Sequence, residues 1–235
     1  MDGQSQQLKH PLDRPIWNAL TTRQASISVR SGPAVRLQPD IGVFAAAAEG
    51  ESNALGTLDC GPEGLWLLEP QAVSAPANMV VHRTAACVQM VADAVVAYDP
   101  PFAIEALNDA DVPDMYALAS LCAPGPFFAH THCMGCFIGV KQDGKLVAMA
   151  GERLQPAGFT EVSAVCTLPD YRGRGYAGAL MRVVAGRIAA RGETPFLHSY
   201  ADNAGAIALY ETLGFRFRTE VTLTVLMREG PPQTG

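Results

Sequence analysis

The sequence has no excess of basic charge. It carries 17 Lys+Arg against 23 Asp+Glu, a formal net charge of −6. Cut at residue 100, the first part holds 6 basic against 10 acidic residues and the second 11 against 13. Neither part is a basic module, so bulk nucleic-acid binding is excluded. No uncharged apolar run reaches the roughly 18 residues of a membrane span. The opening MDGQSQQLKHPLDRP is polar, without the apolar core of a signal peptide. The six cysteines are too sparse in 235 residues for a disulfide scaffold. A cytoplasmic protein with free thiols is expected. What the chain does have is 49% hydrophobic residues and only 17% charged ones, enough to bury a sizeable core.

YDPPF (98–102) is the best boundary. Before it the patterning is weak and lacks any Gly-x-Gly turn. PIWNALTTRQ fits a short helix opened by Pro15. AVRLQ, IGVFAAAA, GLWLLE and MVVHRTA read as strands, and AACVQMVADAVV (85–96) as one more buried element. After the break, FAIEAL (102–107) alternates as a strand. Asn108 or Asp109 can cap a helix ended by Pro124 and Gly125. CFIGV and KLVAMAG flank Gln142-Asp-Gly144, a hairpin signal. FTEVSAVCTL (159–168) and PFLHSY (195–200) are strands. Ala177, Leu180, Met181, Val184 and Ile188 form an apolar stripe at helical spacing, with Gly192 as C-cap. AGAIALYETLG is a helix, and FRFR and EVTLTVLM close the chain as strands. The fold class is mixed α/β.

Between the strand at 159–168 and the striped helix lies PDYRGRGYAGAL (169–180). Glycines let a backbone approach a ligand closely. A helix N-terminus leaves N–H groups unpaired and carries partial positive charge. Arg172 and Arg174 can add charge-assisted bonds. The stretch is an anion site, suited to a phosphate. A dinucleotide-binding fingerprint is disfavoured, because the spacing differs and the preceding elements read as antiparallel hairpins.

Two motifs carry a resemblance. Arg172-Gly173-Arg174-Gly175-Tyr176-Ala177 follows the loop pattern of the GCN5-related N-acetyltransferase (GNAT) superfamily. YADNAGAIALYETLGF supplies that superfamily's Asn, its Leu-Tyr helix and its terminal Gly-Phe. The resemblance covers roughly residues 102–228 and is nearest to the glycine N-acyltransferase-like subgroup, whose chains carry an extra N-terminal half. It implies a GNAT catalytic domain at 101–230, with residues 102–228 binding acetyl-CoA, and a degenerate acetyltransferase-like domain at 1–100. It implies direct acetyl transfer from acetyl-CoA, as cosubstrate and without a metal, to an amine of a small molecule or peptide. The competing reading is a non-catalytic acyl-CoA sensor. A homodimer is left open.

The resemblance also implies roles. The loop Arg172–Ala177 would hold the coenzyme pyrophosphate. The backbone at Val165, Cys166 and Thr167 would meet the pantetheine arm, with Asn203, which alternatively caps the last helix. Tyr210 would protonate the leaving thiolate. Glu161 stands eleven residues before Arg172, where histone-type members place a catalytic base, and burial would raise its pKa toward neutrality. Cys166 has no partner that would make it a nucleophile. HTHCMGC (130–136) offers zinc ligands, but four within seven residues cannot easily surround one ion. It reads instead, with Pro124, Gly125 and Phe127, as an acceptor-side loop. His198, among apolar strand residues, reads as a core histidine.

Overall fold

The structure, a computed structural model, describes residues 10–94, 98–122 and 125–229. The first half contains α1 (Pro15–Leu20) and five strands: β1 (Ser28–Ser31), β2 (Ala34–Leu37), β3 (Ala45–Ala47), β4 (Leu65–Glu69) and β5 (Met79–Val91). The second half runs β6 (Glu105–Leu107), α2 (Val112–Cys122), β7 (Phe137–Gln142), β8 (Lys145–Glu152), β9 (Phe159–Thr167), α3 (Tyr176–Ala190), β10 (Thr194–Tyr200), α4 (Ala204–Thr212) and β11 (Arg216–Arg228).

Local chemistry explains most boundaries. Pro15 opens α1, where its missing N–H costs nothing. The Asn108 side chain accepts from the Ala110 N–H, and Asp111 accepts from the Asn108 N–H. This reciprocal cap starts the turn that leads into α2. Asp143 and Gly144, at φ 50° and 77°, make the tight turn joining β7 to β8. Two expected divisions are absent. MVVHRTA and AACVQMV form the single strand β5, because no turn residue separates them. FRFR and EVTLTVLM likewise form β11, with a register shift between Phe217 and Thr219 in place of a break.

β1, β2 and β3 form an antiparallel sheet, and the other eight strands form one sheet in the order β4-β11-β5-β10-β9-β8-β7-β6. A parallel bridge between Phe44 and Trp66 links the two sheets. β5 crosses the boundary expected at residue 100. It lies between β10 and β11 and pairs antiparallel with both. The second half therefore does not own one of its interior strands, and the span 102–228 is not a complete sheet.

α2 and α3 cover one face over a core that includes Met90, Met149, Val162, Leu180, Val184 and Leu197. The other face packs on the first half through Leu12, Ile16, Val35, Phe44, Leu68, Phe196 and Leu223. Among the described residues no helix is long and apolar enough to cross a membrane.

Candidate active site

β9 and β10 pair in parallel only from Thr194/Phe159 to Phe196/Glu161. Beyond that point they part, and a cleft of about 370 Å³ opens between them. β9 is also interrupted against β8. Cys166 faces Met149 and Ser163 faces Gly151, so Ala164 and Val165 together stand opposite Ala150. Ala164 has φ 52°, a conformation L-residues rarely adopt. Ala164 and Val165, the two residues of the bulge, both line the cleft.

β9 leads from the cleft into the glycine loop. Gly173 and Gly175 have φ 77° and 80°, and Gly175 is the N-cap of α3 with no side-chain cap. A Cβ at either glycine would meet nothing within 4 Å. The glycines are thus required by backbone conformation, and they leave open space before the unpaired N–H groups of α3. Arg172 and Arg174 are exposed and make long hydrogen bonds to the carbonyls of Thr167 (3.4 Å) and Asp170 (3.3 Å), and Arg174 also lies over the Tyr171 ring, 4.7 Å from its centroid. The buried Thr167 hydroxyl has no hydrogen-bond partner among the described residues. An uncapped helix entry, two arginines outside any ion pair among the described residues and an orphan hydroxyl fit a polyanionic coenzyme.

Not every residue expected at this end presents a side chain. Tyr176 is buried, with its ring edge-on to Phe102 at 4.8 Å. Cys166 is buried in the helix-side core, and burial, reinforced by Cys122, pushes its thiol up. Each could meet a ligand only through its backbone. Ala177 is half-buried beside the entry. Asn203 lines the cleft and also caps α4, accepting from the Ala206 N–H at 3.3 Å. Tyr210 lines the cleft, its ring packed near Phe215, and burial raises its pKa against the pull of Arg153.

Glu161 corrects the expectation placed on it. Burial would raise its pKa, but Arg153 and His198 outweigh burial and hold it at about 2. Its side chain has no exposed surface. One oxygen accepts from Arg153 Nε at 2.8 Å. The other accepts from Arg153 Nη2 and lies against His198 Nδ1, both at 2.6 Å. A carboxylate so occupied is not a base near neutral pH. It positions Arg153 and His198.

The cleft is also walled by Ile41, Val43, Phe44 and Trp66 of the first half, with Thr131, Met134 and Arg153. Sequence reasoning did not find Arg153 or the first-half wall, since no local spacing marks either. His198 is buried as expected, yet it belongs to an ionic network and touches the cleft. Gly125 lines the cleft, Phe127 packs edge-on to Phe137, and Pro124 lies outside the described residues. His130 and His132 face Asp40 and Asp109 at 2.8 and 3.2 Å. Among the described residues no group of three or more His, Cys, Asp or Glu could hold a metal.

A splayed strand pair, a bulge and an uncapped glycine entry in a mixed α/β sheet suit the binding of a phosphate-bearing coenzyme. The FR47-like protein model matches residues 137–224. A protein from Novosphingobium aromaticivorans assigned to the GNAT acetyltransferases is 49% identical, over 94% of this chain and 100% of its own, with TM-score 0.89. A GCN5-related N-acetyltransferase from Kribbella flavida shares the fold at 20% identity, over 90% of this chain and 96% of its own, with TM-score 0.57. A GCN5-related N-acetyltransferase-like protein from Streptococcus suis does so at 15% identity, over 91% and 92%, with TM-score 0.59. Among curated proteins, none matches. The chain belongs to the GNAT family, and as such is an acetyl-CoA-dependent acyltransferase.

Proposed function

We propose that the protein is an N-acetyltransferase that moves the acetyl group of acetyl-CoA directly to the amine of a small molecule or peptide. One observation carries this reading. A single cleft is lined both by Tyr210, Asn203 and the β9 bulge and by Ile41, Val43, Phe44 and Trp66 of the first half, so donor and acceptor can be bound at once.

In this reading the loop Arg172–Ala177 holds the pyrophosphate, through the N–H groups of Tyr176 and Ala177 and the two guanidinium groups. The main chain of Val165, at the bulge, polarises the thioester carbonyl. Main-chain groups of Cys166 and Thr167, with Asn203, hold the pantetheine arm. Tyr210, kept protonated by its burial, gives its proton to the departing thiolate. No carboxylate is among the described residues lining the cleft, and His198, which lines it, has both ring nitrogens engaged by Gln89 and Glu161, so in this reading the amine's proton leaves through water.

The sheet order also supports two halves divided near residue 100, as in the glycine N-acyltransferase-like subgroup. From the β5–β11 pair outward, one side runs β4, then β3, β2 and β1. The other runs β10, then β9, β8 and β7. On each side an antiparallel meander ends on a strand with a parallel neighbour, Phe44 on Trp66 and β9 on β10. β5 and β11 are both 13 residues long, and each lies between strands of the opposite half. We read residues 1–100 as an acetyltransferase-like half that lost its phosphate loop and exchanged a strand with residues 101–230.

Calorimetry of the whole protein with acetyl-CoA, followed by thiol release with a panel of amines, tests the activity. Micromolar-range binding with turnover of at least one amine supports it. Binding without turnover of any amine points to the acyl-CoA sensor, and no binding by folded protein overturns both.

A further inference from the structure

The acceptor end of the cleft has an unusual charge arrangement for an enzyme that receives amines. Among the described residues it contains a guanidinium, and the one carboxylate of the adjoining recess, Glu152, is nearly buried and paired with Arg191 at 2.9 Å. Arg153 lines the chamber with its side chain 24% exposed, while its partner Glu161 is fully buried beneath it. Glu161 engages Nε and one terminal nitrogen of Arg153 side-on. The other terminal nitrogen, Nη1, has no partner among the described residues. The guanidinium also lies over the Phe44 ring, 4.8 Å from its centroid. A second arginine stands near the wall. Arg83 donates to the Tyr200 hydroxyl at 2.5 Å and lies over the rings of Tyr200 and Trp66, both of which line the cleft.

The orientation of Arg153 is set from far away. Arg218 Nη2 donates to Asp13 at 2.6 Å, and its Nη1 donates to Gln89 Oε1 at 2.8 Å. This fixes the Gln89 amide, so its nitrogen faces the Leu12 carbonyl and His198 Nε2, each at 3.0 Å. His198 Nε2 must then accept, and the ring proton sits on Nδ1, which donates to Glu161 at 2.6 Å. Gln89 and Glu161 are fully buried and His198 nearly so. Such a chain is stable only when every member is satisfied, and satisfied it leaves one arrangement. Its end product is a guanidinium with a fixed plane and a nitrogen left over for a ligand.

We infer that Arg153 is the acceptor-recognition residue, and that the acceptor is an amine whose apolar or aromatic body also carries a carboxylate. The carboxylate would meet the outer edge of the guanidinium, and the apolar body would rest among Phe44, Trp66 and Leu223. Among the described residues, an acceptor with a second positive charge would find no unpaired counter-charge here, since Glu161 is held by Arg153 and Glu152 by Arg191. The inference rests on the acetyltransferase reading for the site but not for its own test, which needs no turnover.

The test uses the whole protein saturated with coenzyme A and three amines of equal body: phenylalanine, phenylalaninamide and phenethylamine. Calorimetric titration is expected to rank phenylalanine tightest, by roughly tenfold to a hundredfold over phenethylamine, the scale of one charge-assisted pair. In Arg153→Gln the carboxylate preference should vanish while coenzyme A affinity stays. Arg153→Lys should keep the preference in weakened form, since charge survives and the fork does not. If both variants fail to fold, the wild-type ranking still decides. Equal affinity for the three amines, or tighter binding of phenethylamine, overturns the inference whether or not any amine is acetylated. Failure of turnover with the ranking intact would instead sink the acetyltransferase reading.

Discussion

The two ends of the cleft are built in opposite ways. The coenzyme end comes from two short stretches, 165–177 and 203–210, and its charged side chains are exposed and loosely held. The acceptor side comes from residues as distant as Ile41, Trp66, Arg153 and Leu223, and its part-exposed Arg153 is locked against the fully buried Glu161. A phosphate site can be made locally, because a helix entry already supplies donors and partial charge. A chamber that recognises one acceptor needs walls from several directions, so it draws on the whole fold. This contrast predicts where single changes will be confined and where they will spread.

The acceptor end should fail most completely when its distant parts are removed. A chain starting at residue 101 lacks β5, the strand between β10 and β11, and exposes two unpaired edges inside the sheet. It should form no cooperatively unfolding species. A soluble fragment with a sharp thermal transition and acetyl-CoA affinity would break the comparison.

Within the intact chain, Tyr210→Phe removes one hydroxyl at the junction of the two ends. Turnover should fall roughly 10²–10⁴-fold, the scale of a positioned acid, with acetyl-CoA affinity nearly unchanged because the ring still packs. Wild-type turnover under conditions where chemistry limits the rate would transfer the acid role to water.

Glu161→Gln tests the lock. Removing one partner of a buried pair leaves the other uncompensated, at a cost of about 3–5 kcal/mol. The pH dependence has a definite sign. The folded pKa of Glu161 is depressed to about 2, so its stabilisation is complete above the ordinary glutamate range. It is lost as pH falls toward about 2. Acid titrations of stability should show this loss in wild type and a shallower one in Glu161→Gln. Parallel curves would mean that the pair carries little of the fold's acid sensitivity.

Gly175→Val addresses the coenzyme end. Its φ of 80° disfavours any β-branched residue, although a Cβ would strike nothing in the protein. The damage should therefore stay local. Acetyl-CoA should bind roughly tenfold to a hundredfold more weakly, as expected for lost charge-assisted bonds. The melting temperature should move little. A large fall in stability with intact affinity would reverse the assignment.

The same contrast governs what the sequence discloses. The glycine entry, the stripe on α3, the Asn203 cap and the Asp143-Gly144 turn are legible because their causes lie within a few residues. The placement of Tyr176 and Cys166 was not, since a loop pattern does not say which members turn inward. Glu161 shows the limit most sharply. Its position suggests a base and its burial a raised pKa, but the sign is reversed by Arg153, eight residues away, and by His198 on another strand. Nothing local marks β5 as a strand of the other half, because strand order is set by long-range pairing.

The smallest effect is expected where a polar contact joins the halves in solvent. His130 Nδ1 meets Asp40 at 2.8 Å, with both side chains more than half exposed. Water screens such a pair, and its contribution is about 0–1 kcal/mol. The backbone bond from the His130 N–H to the Asp40 carbonyl, at 3.0 Å, survives a side-chain change. His130→Ala should thus lower the melting temperature by no more than about 4 °C, the shift that 1 kcal/mol makes in a domain of this size. Turnover and acetyl-CoA affinity should be unchanged, with or without a zinc chelator. If turnover falls tenfold, or the chelator matters in wild type and not in the variant, the stretch His130–Cys136 is a working part of the site. The His130 side chain would then belong with Thr131 and Met134, which already line the cleft, not with the solvent.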